Sequence, residues 1–179
     1  MDIRNKLKKY LDDNLKNEKR LFSIARMKQS ILHDKHYNID MDEDEINMLE
    51  LPSGTSNINN FIDNELNDNK FQKLLFKFID DRNLKDSDVY NKAQIDRRLF
   101  SKIRSDENYH PSKETIISLA CSLELSINEL EELLSSASYS LPKNNKFDLI
   151  IRFCFLEKIY DLIEINNLLN EYHCNLLTK

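Results

Sequence analysis

Arg97, Arg98, Ser101, Lys102 and Arg104 are residues whose types and spacing point to chemistry. They lie in QIDRRLFSKIR, residues 94–104, which puts three arginines and a lysine within eight positions. Asp96 can cap a helix that runs to about Arg104, with Leu99 and Ile103 four apart and facing inward. The basic residues and Ser101 are then left on its outer sides. Such a helix fits the major groove of double-stranded DNA, where arginine reads guanine edges and serine or lysine reaches base edges or phosphate. Arg97, Arg98, Ser101 and Lys102 are the candidate groove contacts. Arg104, His110 and Lys113 are the candidates for the DNA backbone. The competing expectation is a solvated face whose cations pair with Asp88, Asp106 or Glu107.

A helix aimed at a groove needs a sharp corner before it. Ala93-Gln94-Ile95-Asp96 supplies one: a small residue where two helices touch, an apolar plug after the turn, and a cap. If the turn needs a positive φ at Gln94, a residue other than glycine costs of order 1 kcal/mol there. Around the corner the chain reads as helix after helix. Phe71, Leu74, Leu75, Phe78 and Ile79 make an apolar stripe over residues 70–82. Ser87 is expected to cap a helix from Asp88 to about Ala93. Pro111 closes the loop 105–111. Ser112 caps a helix with Ile116, Leu119, Ala120 and Leu123 inward. Ser126 and Glu129 form a capping box before Leu130, Leu133, Leu134 and Ala137. Two more helices follow at 146–157 and 161–172. The first 50 residues also read as helical, with Ile3, Leu7, Tyr10, Leu11 and Leu15 at helical spacing.

Composition agrees with this pattern. Of 179 residues, 40% are hydrophobic, one is glycine, three are proline and none is tryptophan, which favours helices over a turn-rich β fold. No apolar run approaches the ~20 residues that span a bilayer, and MDIRNKLKKYLDD lacks the apolar centre of a signal peptide. No membrane association is expected, and the three scattered cysteines, Cys121, Cys154 and Cys174, suit reduced thiols in a cytoplasmic protein. The polar stretch LPSGTSN, residues 51–57, marks a linker. Three regions result: an N-terminal helical segment at 1–56, a helix-turn-helix domain at 57–140, and a helical hairpin at 141–179 packed on that domain.

Residues 70–138 resemble the lambda-repressor-like (Xre-type) helix-turn-helix family, whose corner is usually Ala-Gly-Val-Ser. The stretch NYHPSKETIISLACSLELSINELEELL is similar to the family's passage into its fourth and fifth helices, with Leu123, Leu125, Ser126, Leu130 and Leu133 matching. Residues 89–177 also resemble a module found at the C-terminal end of bacterial and phage proteins of varied architecture. The resemblance implies an all-α fold built on a five-helix bundle, a recognition helix at 96–104, and sequence-specific DNA binding in transcription regulation. One departure bears on this. The family often opens its second helix with Thr-Gln, whose glutamine touches a phosphate. Here the stretch is Asp86-Ser87-Asp88, whose carboxylates are repelled by DNA.

Charge limits the affinity of a single copy. The chain carries net −5. Residues 67–140 hold 11 Lys and Arg against 13 Asp and Glu, so no broad basic footprint exists. The basic charge is local, at 96–104. Affinity follows the number of phosphates neutralised, so useful binding calls for a homodimer on two half-sites or for a partner. The alternative is an adaptor that uses the helix-turn-helix fold as a scaffold for protein binding, in a phage or host-defence setting, with residues 1–66 as a possible partner surface. No Gly-rich phosphate loop, GxSxG or HExxH occurs, so no enzyme activity and no cofactor is expected. HDKH at 33–36 and the pair His173-Cys174 lack a further ligand at telling spacing, so no metal is expected.

Overall fold

The computed structural model describes residues 2–16, 70–106 and 109–178. The expected linker at 51–57, the HDKH stretch and the acidic run at 40–50 lie outside the described residues. All regular structure among the described residues is helical. The helices are α1 (residues 3–16), α2 (Lys70–Asp81), α3 (Asp86–Lys92), α4 (Arg97–Ser105), α5 (Lys113–Ser122), α6 (Ile127–Ser136), α7 (Lys146–Leu156) and α8 (Leu162–Glu171).

One core joins them. Leu75, Ile79, Ile103, Ile116, Leu119, Leu130, Leu133, Leu134, Leu149, Ile165 and Leu169 are all buried in it. Helix α6 lies at its centre, against α2, α5 and α7, while α3 packs on α5 and α4, and α7 packs on α8. The helices described all belong to one compact unit, which takes in Met1–Glu18 and Asn69–Lys179. Helix α1 therefore shares the core of the C-terminal helices. Leu7 and Leu11 are buried, Arg4 pairs with Glu171 at 2.6 Å, Lys6 pairs with Glu157 at 2.6 Å, and the Tyr10 ring packs 5.5 Å from Phe153. Burial raises the Tyr10 phenol above its ordinary range, against the lowering pull of Arg152.

The corners between helices repeat one device. Asn83, Gln94, Glu124, Ser138, Lys158 and His173 all have φ between 51° and 60°, and each stands just past a helix end. The next residue sends its N–H back to a carbonyl five positions earlier, as from Leu84 to Ile79 (3.2 Å), Ile95 to Tyr90 (3.0 Å), Leu125 to Ala120 (3.1 Å) and Ile159 to Cys154 (2.8 Å). This is the Schellman closure, in which a left-handed residue frees the chain to turn and an apolar residue seals it. None of the six left-handed residues is glycine. Each accepts a cost of order 1 kcal/mol that glycine would avoid.

The same device explains the one cap that sequence reading misplaced. Helix α3 starts at Asp86, with Lys85 as N-cap and no side-chain cap bond, rather than at Asp88 under Ser87. The corner dictates this: left-handed Asn83, then Leu84, then the N-cap, in the same three-step order as Gln94-Ile95-Asp96 and Glu124-Leu125-Ser126. Ser87 instead donates to Asp88 Oδ1 at 3.3 Å. The remaining caps stand where expected. Asp96 accepts from the Arg98 N–H, Ser112 accepts from the Thr115 N–H, and Ser126 and Glu129 close a full capping box.

Candidate nucleic-acid interface

Helix α4 is held at both ends and along one side. Asp96 Oδ1 accepts from the Arg98 N–H at 2.6 Å and fixes its start. Gln72, on α2, donates to the carbonyls of Ile103 (2.5 Å) and Asp106 (2.8 Å) and fixes its end. Phe100 and Ile103 are 3% and 1% exposed, and Leu99 is half-buried against the same core. The Phe100 ring sits between Phe76, edge-on at 6.1 Å, and Tyr90 at 5.7 Å. Sequence reading assigned the inward positions to Leu99 and Ile103 and passed over Phe100. The signal in the sequence was the spacing of Phe100 and Ile103, three apart; Phe76 on α2, against which the ring packs, is only partly buried.

Burying that side presents the other. At about 100° per residue, Arg97, Arg98, Ser101 and Lys102 fall within an arc of roughly 140° on the side away from Phe100 and Ile103. All four are exposed, and with Ser105 and Asp106 they line one open depression along α4. Neither Arg97 nor Arg98 makes an ion pair among the described residues. The Lys102 ammonium rests 4.5 Å from the Tyr109 ring centre.

Comparison with protein-family models, with curated proteins and with solved structures finds no match to the chain.

The other three basic candidates are engaged by partners within the protein, although Arg104 and His110 remain exposed. Arg104 Nη2 donates to Asp86 Oδ1 at 2.5 Å, and its guanidinium lies 4.1 Å from the Phe76 ring centre. The partner of Arg104 is thus Asp86, which is not among the carboxylates expected from the sequence, and Glu107 lies outside the described residues. Lys113 Nζ meets Asp148 Oδ1 at 2.5 Å, with side-chain exposures of 20% and 3%. His110 Nε2 donates to the Ala137 carbonyl at 2.7 Å, and the ring packs 5.1 Å from Tyr139. The seven candidates thus divide into four on one exposed arc and three committed to neighbouring elements.

No three His, Cys, Asp or Glu side chains converge as metal ligands among the described residues. The thiols of Cys121 and Cys154 are buried, and burial pushes both up, Cys154 to about 12. Their reactive thiolates are therefore scarce at neutral pH. No helix among the described residues is long and apolar enough to cross a membrane.

Proposed function

We propose that this chain is a sequence-specific double-stranded DNA-binding protein that regulates transcription, with α4 as its recognition helix. Helices α2 to α6 are then the five-helix lambda-repressor-like bundle, α3 and α4 its helix-turn-helix, and α7 and α8 a hairpin packed on it. The protein acts in the cytoplasm as a homodimer on two half-sites, with no catalytic site, cofactor or metal. The observation that supports this best is the exposed arc of Arg97, Arg98, Ser101 and Lys102 on a helix fixed at both ends. Arg97 and Arg98 stand at the start of α4, the end that enters a groove in helix-turn-helix docking. Two unpaired guanidinium groups suit two guanines in neighbouring base pairs.

The ion pair of Arg104 with Asp86 bears on the acidic stretch before α3. It neutralises one of the two carboxylates that DNA would repel, and leaves Asp88 exposed. Arg104 is assigned to holding α4 rather than to a phosphate. Lys113 and His110 are assigned to the packing of α5, α6 and α7. The test is selection of bound sequences from a random duplex pool, followed by Arg97→Ala with Arg98→Ala. Enrichment of a guanine-containing site, lost in the double variant, supports the proposal.

A second function follows from a specific observation. Exposed Asp88, at the start of α3, together with the net charge of −5, suits a protein partner better than a polyanion. Under that alternative the same arc on α4 binds an acidic protein surface, and the chain serves as an adaptor. Steep salt dependence of retention on duplex DNA favours the first function, and indifference to salt favours the second.

A further inference from the structure

The segment after α8 crosses back to the α3–α4 corner. Asn166, on α8, grips it at two points. Its Oδ1 accepts from the Leu177 N–H at 2.8 Å, and its Nδ2 donates to Thr178 Oγ1 at 3.1 Å. Leu177 is buried in the core between those bonds. Thr178 Oγ1 in turn donates to Gln94 Oε1 at 3.3 Å, so one hydroxyl accepts from α8 and gives to the corner. Gln94 is the left-handed residue, φ 53°, that turns the chain into α4.

A glycine at that position would remove the backbone cost and also the only side chain there for the tail to hold. Glu124, the left-handed residue of the α5–α6 corner, is used in a like way, accepting from Lys92 at 2.5 Å. We infer that Asn166 and Thr178 are positioning residues for α4: they hold the segment 174–178 as a strap whose last bond, to Gln94, fixes the corner from which α4 departs. What α4 does once positioned rests on the function proposed above.

The test uses the full chain with Asn166→Ala, Thr178→Val and, as control, Asn167→Ala on the exposed side of α8. Amide hydrogen exchange is followed at Gln94 and Ile95, whose N–H groups close the corner, and at Ile150 and Ile151 in α7. Loss of one exposed hydrogen bond is worth about a fivefold change in opening. Both strap variants are expected to speed exchange at Gln94 and Ile95 by about that factor, with α7 and the control unchanged. Thr178→Val leaves Leu177 in the core and removes both bonds of that hydroxyl, from Asn166 and to Gln94, so it reads the strap without disturbing the packing. Wild-type rates at the corner in either strap variant, or equal acceleration in α7, overturn the inference. A wild-type chain that binds no duplex instead defeats the groove function, and leaves the exchange result to decide the strap by itself.

Discussion

Arg104 Nη2 lies 2.5 Å from Asp86 Oδ1, so the last turn of α4 is tied to the first turn of α3. Both side chains are about half exposed, at 50% and 40%. A pair so open to solvent is worth roughly 0–1 kcal/mol after screening, and stacking on Phe76 adds about 0.5–1 kcal/mol. Arg104→Ala is therefore expected to lower stability by about 1 kcal/mol in urea unfolding. Any duplex binding by the wild-type chain should survive it within about fivefold. A loss as complete as that of the Arg97/Arg98 double variant would return Arg104 to the interface.

Lys113 is expected to act on stability and far less on ligand binding. Its ammonium faces a carboxylate that is 3% exposed and also accepts from Asn145 Nδ2 at 2.5 Å, while Asn145 Oδ1 caps the helix by accepting from the Asp148 N–H at 2.8 Å. Removing one partner leaves a buried charge, at about 3–5 kcal/mol. Lys113→Met should show a loss of that size in denaturant unfolding. Lys113→Met with Asp148→Leu should recover most of it. A single variant with wild-type stability would mean that Asp148 is not held by Lys113.

The left-handed corners predict stabilisation by glycine. Lys158→Gly removes a side chain from φ 58° at an exposed position that makes no ion pair among the described residues. The gain is about 0.5–1 kcal/mol after the unfolded chain's added freedom is subtracted. It should appear as a higher melting temperature. Gln94→Gly should gain less, because it also gives up the bond from Thr178.

Much of this architecture was legible in the sequence, for identifiable reasons. Ser112, Ser126 and Asp96 are small polar residues directly before apolar periodicity, and capping is a local property, so they read correctly. The stripes on α2 and α6 were clear because each of those helices buries one face, whereas α5 buries every residue from Ile116 to Ser122, and its four expected inward positions were only part of what it buries. Phe100 was missed because its partners, Phe76 and Tyr90, come from two other helices. The pairs Arg104–Asp86 and Lys113–Asp148 span 18 and 35 positions. Charges at such separations carry no mark of their partner, so Arg104 and Lys113, solvent-ready cations in the sequence, are paired within the fold. Helix α1 gave a readable stripe, but its place beside α7 and α8 rests on contacts far apart in the sequence: buried Leu7 and Leu11, Tyr10 against Phe153, and Arg4–Glu171, 167 positions apart.

Glu129 gives a pH dependence with a definite sign. Burial pushes its carboxyl up, but the hydrogen bonds from Arg82 and from the Ser126 N–H and hydroxyl outweigh that and hold it below 4.5. A lowered folded-state value means that the ionised form stabilises the fold. That contribution is fully present above about pH 4.5 and is lost as pH falls through the folded-state value. Glu129→Gln should thus be less stable than wild type by up to about 1 kcal/mol at neutral pH, from the lost ion pair with Arg82, since glutamine also closes a capping box. The gap should close in acid, and urea unfolding at a series of pH values will show whether it does.

The most direct measurement is duplex selection with the wild-type chain beside the chain carrying Arg97→Ala and Arg98→Ala. Groove reading by those two side chains predicts a guanine-containing site enriched by the first and lost by the second, with wild-type unfolding stability in both. No enrichment by the wild-type chain, or the same site enriched by both, would contradict it.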